Sequence, residues 1–273
     1  LKIIEKHFQG CCELYIYGDE RDYIYYPYLK RNLGNLPYAD SCNIRLADYF
    51  DITSSWYYGG PIVYQSKLDD RQRDTLIKEY LKDFHIYCTE NNIISEFIRF
   101  DPNIKNYQDL IKYIPVTPNR ETIYVDLMLS EKDIWNGYKG RCRTAVRKSR
   151  KYPVDVRMSD PDEFINCFFP IYCSEMQRKE APRQYRFQKD FFTRLFSNLS
   201  DHIILFLITY HAKAIGGTIC LVDQNGVAYD YLTATDPAYW KYQINNLLFH
   251  EVIKTCKKKG LRIYDFHGGR GNV

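Results

Sequence analysis

The last third of the chain constrains its fold most. Residues 202–210, 214–222 and 227–233 are three apolar-rich runs of strand length. Asp223-Gln224-Asn225-Gly226 joins the second run to the third, and its Asn-Gly pair suits a tight hairpin turn. A helical stretch follows over 243–259, stopped by Gly260, and 261–266 reads as a closing strand that runs into His267-Gly268-Gly269. Earlier in this half, 122–129 reads as a strand and Ser130 caps a helix, with Asp133 placed three residues on. That helix is expected to continue through the basic run 141–151 and to end before Pro153. A short strand over 154–157 and helices over 160–180 and 188–199 complete the half.

The first half has a similar order. Residues 13–17 and 23–29 form a hairpin around Gly18-Asp19-Glu20-Arg21-Asp22, and aromatic residues lead into Gly59-Gly60-Pro61. Helical periodicity over 69–91 puts Leu76, Ile77, Tyr80, Leu81, Phe84 and Tyr87 on one stripe. A strand over 96–100 closes at Asp101-Pro102, and 115–119 reads as a linker. Both halves thus carry a hairpin, an aromatic-rich strand, an amphipathic helix and a further strand, the pattern of an internal duplication. An α+β (mixed α/β) architecture follows, divided at 1–118 and 119–273.

With 45% hydrophobic and 26% charged residues among 273, the chain is neither disordered nor fibrous. The 26 tyrosines suit half-buried sheets and polar clefts, since each has an apolar ring and a polar tip. A net charge of +4 is weak for general RNA binding. Nine cysteines without a CxxC pair argue against a secreted disulfide scaffold, so reduced thiols and a cytoplasmic location are expected. No apolar run approaches the ~20 residues that cross a bilayer. The start at Leu1 rather than Met is that expected of a piece of a longer protein.

Phosphate loops, dinucleotide fingerprints, nucleophile elbows and zinc-binding HExxH runs are missing, and the six histidines are scattered, so no metal is expected. Three groups of residues could carry chemistry. Arg141, Arg143, Arg147, Lys148, Arg150 and Lys151 could bind phosphates or form a solvated helix face. Tyr57, Tyr58, Gly59 and Gly60 could bring a ring and backbone against a sugar, or form a turn with core aromatics. Asp265 and His267 alternate at a strand end, where they could accept a proton or serve as structural groups.

Taken in order, Pro27-Tyr28-Leu29-Lys30-Arg31, Asp51-Ile52, Tyr57-Tyr58-Gly59-Gly60-Pro61, Arg99-Phe100-Asp101-Pro102, the basic helix and Tyr264-Asp265-Phe266-His267-Gly268-Gly269 resemble the Fem-type (FemABX) peptidoglycan bridge transferases. These belong to the acetyltransferase-like (GNAT-like) superfamily. The resemblance implies two GNAT-like subdomains, each a mixed twisted sheet flanked by helices, with a cleft between them and the first shortened at its start. It implies transfer of an aminoacyl group from charged tRNA to an amine of a cell-wall precursor, near the inner membrane face. Precursor contacts would fall to Tyr57, Tyr58, Gly59, Gly60, Arg99, Arg141, Arg147 and Lys148. The transfer region would include Gly216, Gly217, Tyr231, Asn245, Asp265 and His267. The glycine-rich loop of CoA-dependent relatives is replaced by Trp240-Lys241-Tyr242-Gln243-Ile244-Asn245-Asn246, which weighs against acetyl-CoA. Two alternatives stand beside this reading: an acyl-CoA-dependent N-acyltransferase acting on an amino sugar or nucleotide sugar, and a non-catalytic carbohydrate- or nucleotide-binding protein.

Overall fold

The computed structural model describes residues 3–36, 39–41, 45–54, 58–65, 67–119 and 121–267. The chain divides into two compact units, Leu1–Asn119 and Arg120–Val273.

In the first unit a short helix α1 (Glu5–Phe8) leads into the hairpin β1 (Gly10–Gly18) and β2 (Tyr23–Asn32), whose antiparallel register runs from Gly10↔Arg31 to Gly18↔Tyr23. β3 (Phe50–Thr53) pairs antiparallel with β2, and β4 (Ile62–Tyr64) pairs with the start of β2. α2 (Asp70–Glu90) then crosses over to β5 (Ile93–Phe97), which lies parallel to β3. A full capping box starts α2: Asp69 accepts from the Gln72 backbone and Gln72 answers to the Asp69 backbone. Its Ile77, Tyr80 and Phe84 are buried against Ile24, Tyr26, Tyr28 and Ile52 of the sheet.

The tyrosine excess is explained here. Tyr28 and Tyr87 both donate to the Glu13 carboxylate, at 2.9 and 3.0 Å, so their rings fill the core while their hydroxyls stay satisfied. The strand expected over 96–100 begins three residues earlier and ends at Phe97. Beyond it Phe100 makes only a single bridge, with Gly59, and α3 (Tyr107–Leu110) follows.

In the second unit β6 (Tyr124–Asp126) is much shorter than the expected 122–129, because Met128 turns back to donate its backbone N–H to Asp126. The single helix expected from Ser130 to residue 151 is two helices, α4 (Glu131–Gly137) and α5 (Gly140–Ser149). Tyr138 and Lys139 are extended between them (ψ 141° and 144°). Arg143 holds the break by donating to the carbonyls of Asn136, at 2.9 Å, and Tyr138.

The rest follows the sequence pattern closely: β7 (Val154–Met158), α6 (Pro161–Arg178), α7 (Lys189–Asn198), β8 (Ile203–Tyr210), β9 (Lys213–Val222), β10 (Val227–Thr235), α8 (Ile244–Lys258) and β11 (Ile263–Asp265). The sheet order is β6-β11-β10-β9-β8-β7, with β10 and β11 parallel and the other neighbours antiparallel. α4 and α8 pack on one face through Ile134, Leu248, Val252 and Cys256. α6 covers the other, where a Cβ on Gly217 would come 3.0 Å from the Phe164 ring and 2.6 Å from the Phe206 carbonyl.

The duplication is visible as topology. Each unit has three antiparallel neighbours, β1-β2-β3 or β8-β9-β10, and then a helical crossover to a parallel strand, β5 or β11. Each is a mixed sheet flanked by helices.

Candidate functional site: where the parallel pair of the second sheet parts

The two parallel pairs end differently. In the first unit the chain closes over the seam beyond β3 and β5. Ser54 donates its N–H to Phe97, Arg99 to the Ser54 hydroxyl, and Gly59 to Arg99. Buried Asn106 clamps this closure, donating from Nδ2 to the carbonyls of Gly59 and Pro61 at 3.0 and 3.1 Å. Gly60 has φ +100° and lies so close to Ile98 that a Cβ would fall 2.8 Å from it. The expected ligand role of Gly59 and Gly60 thus has a structural counterpart in a clamped turn. Tyr58 is half-buried and Arg99 exposed; Tyr57 lies outside the described residues.

In the second unit β11 pairs with β10 only over Val227–Tyr229. β10 continues for six residues, Asp230 to Thr235, beyond its last register pair with β11. Where a parallel pair separates in this way, the backbone groups of the longer strand must find partners outside that ladder.

Asp230 is the first residue past the paired stretch, and Tyr231 after it is the extra residue of a bulge against β9. The Asp230 carboxylate is half-buried, and its Oδ1 accepts from the hydroxyls of Thr218 and Thr233 at 2.9 and 2.8 Å. Burial pushes its pKa up to about 6, against the opposing pull of those two hydrogen bonds. This residue was missed in the sequence. The signal that could have found it is an acid in the middle of an otherwise apolar and aromatic strand, Val227-Ala228-Tyr229-Asp230-Tyr231-Leu232.

At the far end of β10 a polar network joins three elements. The Thr235 backbone N–H donates to Glu175 of α6 at 3.0 Å, and the Thr235 hydroxyl donates to Asn245 Oδ1 of α8 at 2.8 Å. The Trp240 indole donates to the same hydroxyl at 3.0 Å. Buried Glu175 is also held by Lys179 at 2.5 Å. Next to this network α8 begins at Gln243, which is left-handed (φ 60°) and gives no side-chain cap. First-turn amides without a cap form an anion-binding terminus.

Gly216, Tyr231 and Asn245 all fall on this seam or its end. A Cβ on Gly216 would lie 2.7 Å from Thr235 Cγ2, so this glycine serves close packing of β9 on β10. Asp265 ends β11 fully buried and accepts the His267 backbone N–H at 2.6 Å. The two residues do not alternate on one strand face as expected, because His267 turns left-handed (φ 58°) and its ring stacks on Tyr229. Gly268 and Gly269 lie outside the described residues.

The basic helix α5 is exposed at Arg141, Arg147 and Lys148. Arg147 lies over the Trp135 ring at 5.3 Å, and Arg150 pairs with Glu251 at 2.8 Å. Among the described residues no group of His, Cys, Asp or Glu could hold a metal ion, and no helix is long and apolar enough to cross a membrane.

Residues 137–272 match the family model described as an acetyltransferase (GNAT) domain. No curated protein sequence matches the chain. Among solved structures, that of FemX superposes with a TM-score of 0.68 at 12% identity, over 98% of this chain and 82% of that one. L-PGS from Bacillus licheniformis superposes at 0.61 with 13% identity, over 100% and 76%. The C-terminal domain of a putative lysylphosphatidylglycerol synthetase from Agrobacterium fabrum does so at 0.58 with 9% identity, over 94% and 71%. At such identities the likeness is one of fold, and it covers both units.

Proposed function

We propose, from the match of residues 137–272 to the acetyltransferase (GNAT) domain model, that the chain is an N-acyltransferase that passes an aminoacyl group from charged tRNA to an amine of a cell-wall precursor. The observation that carries this reading is the parting of β10 from β11 after Tyr229, beside a carboxylate with a pKa of about 6. The corresponding seam of the first unit is closed by its own chain. One sheet is thus suited to the chemistry, and the other leaves room only for a supporting or acceptor-binding role.

The reaction forms a C–N amide bond and breaks the C–O ester of the aminoacyl-tRNA. The acceptor amine attacks the ester carbonyl, and Asp230 takes the proton the nitrogen loses. Backbone N–H groups of β10 past Asp230 are assigned to the developing oxyanion, and Asp230 passes the proton on to the departing ribose oxygen. An ester is already activated, so no nucleophilic side chain is needed. That suits a seam without a paired Ser, Cys and His. Asp265 and His267 are assigned to shape its wall, together with Tyr231 and Asn245. Arg141, Arg147 and Lys148, with Tyr57, Tyr58, Gly59, Gly60 and Arg99, are retained as proposed contacts to the phosphates and sugars of the precursor. FemX, whose fold this chain shares, supports the cell-wall acceptor. Charged tRNA as donor places the reaction in the cytoplasm.

One observation favours a second reading. The uncapped N-terminus of α8 could receive the pyrophosphate of an acyl-CoA, in which case a C–S bond breaks instead. Trp240 and the absence of glycine between Trp240 and Asn246 favour the tRNA ester. Incubating the protein with a muramyl-peptide nucleotide and either mixed aminoacyl-tRNAs or acetyl-CoA, then weighing the acceptor, separates the two. An aminoacyl mass increment is expected. An acetyl increment would replace the donor, and an unchanged acceptor with both would remove the function.

A further inference from the structure

A cavity of about 340 Å³ opens in the second unit between α4 and α8, away from the end of β10. Its apolar side is Ile134, Trp135, Tyr138 and Ile253, with His250 packed edge-on against Trp135 at 5.1 Å. Its rim is basic: Lys132, Arg150, Lys254 and Lys257, with Glu131 among them. Glu251 holds Arg150 and Lys254 in place at 2.8 and 3.1 Å. Lys257 donates to the carbonyl of Leu127 at 2.7 Å, which ties the C-terminal turn of α8 to the segment preceding α4.

That segment leads into two exposed apolar side chains, Met128 (70% exposed) and Leu129 (47%). On the other side of the tie, Lys258 and Lys259 are exposed at the end of α8. A cationic rim, an aromatic-lined pocket and protruding Met and Leu therefore meet on one surface. Lysine heads complement anionic headgroups, Trp and Tyr suit the polar–apolar boundary, and exposed Met and Leu gain energy only in an apolar medium. An RNA partner would use the lysines and leave Met128 and Leu129 unmatched, so the apolar pair decides for lipid.

We propose that this surface docks on an anionic phospholipid bilayer, with a headgroup phosphate at the Lys132–Lys254–Lys257 rim, Lys258 and Lys259 against the neighbouring anionic headgroups, and Met128 and Leu129 entering the acyl boundary. The proposal concerns a surface apart from the seam of β10, and it stands whether or not the seam transfers acyl groups.

Cosedimentation of the full chain with vesicles tests it, using phosphatidylcholine alone or with about one-third phosphatidylglycerol. Binding is expected to the anionic vesicles only and to be lost at high salt. The Lys258→Gln/Lys259→Gln protein should bind at least tenfold more weakly, since each lysine contributes about fivefold. Met128→Ser/Leu129→Ser should also weaken binding by about tenfold or more. All four positions are exposed, so both variants should keep the parent's melting temperature. Equal binding to both vesicle types, no binding, or parent-like binding by either variant would overturn the proposal. So would displacement from the vesicles by a short single-stranded RNA, which would mark a nucleic-acid surface instead.

Discussion

Asp230 lies where burial and ionisation oppose each other. Its folded-state pKa of about 6 stands above the ordinary aspartate value of about 4. Below pH ~4 the carboxyl is protonated in both states and costs nothing. As pH rises from about 4 to about 6, the native state retains a proton that the unfolded chain has released, so stability falls through this window. Above pH 6 the cost is constant. Asn at this position keeps an oxygen for Thr218 and Thr233 and cannot ionise. Asp230→Asn should therefore be more stable than the parent at pH 8, by on the order of 2–3 kcal/mol in chemical denaturation, and equal to it near pH 3.5. A variant less stable at pH 8 would show that Asp230 is held by ionic contacts rather than penalised by burial. Such stabilisation on removing a carboxylate is what a functional site retained at the expense of stability shows. Gly216 and Gly217, which the family resemblance puts in the transfer region, also serve packing, since the space a Cβ would need is filled by Thr235 and by the Phe206 carbonyl.

Elements with strong local signals were legible in the sequence. α2 has both an amphipathic stripe and a capping box, and α8 has its periodicity and Gly260 at φ 80°. The hairpin turn at 223–226 ends in Gly226 at φ 79°. The break between α4 and α5 was not legible, because no proline marks it and both sides have helical periodicity. It is made by tertiary means. Ser130 caps α4 by accepting from Asp133 at 3.1 Å, and Arg143 reaches back from α5 to its last carbonyls. Ser130→Ala and Arg143→Ala should each lower stability by about 1 kcal/mol, read as a shift in denaturation midpoint with an unchanged slope. If Arg143→Ala has no effect, the break is set by the glycines Gly137 and Gly140 alone. β6 was overestimated for a similar reason: apolar 127–129 looks like strand, but Leu127 turns into the core while Met128 and Leu129 face out.

At the scale of the whole molecule, the repeated order of strands and helices was readable from pattern alone. What pattern could not supply is how the parallel pair of each repeat ends, since that depends on where β11 stops and on Asn106 clamping Gly59 and Pro61 in the other repeat. The chemistry assigned to this chain therefore rests on one strand end and one carboxylate. Its most direct test is the pH–rate profile for acyl transfer to an amine acceptor by the parent and by Asp230→Asn, with fold and melting temperature checked in parallel. The parent rate should rise through an apparent pKa of about 6 to a plateau, and the variant should lose 10²–10⁴-fold in kcat without that limb. A variant that turns over at the parent rate, with the same rise near pH 6, would contradict Asp230 as the base and the parting of β10 from β11 as the place of transfer.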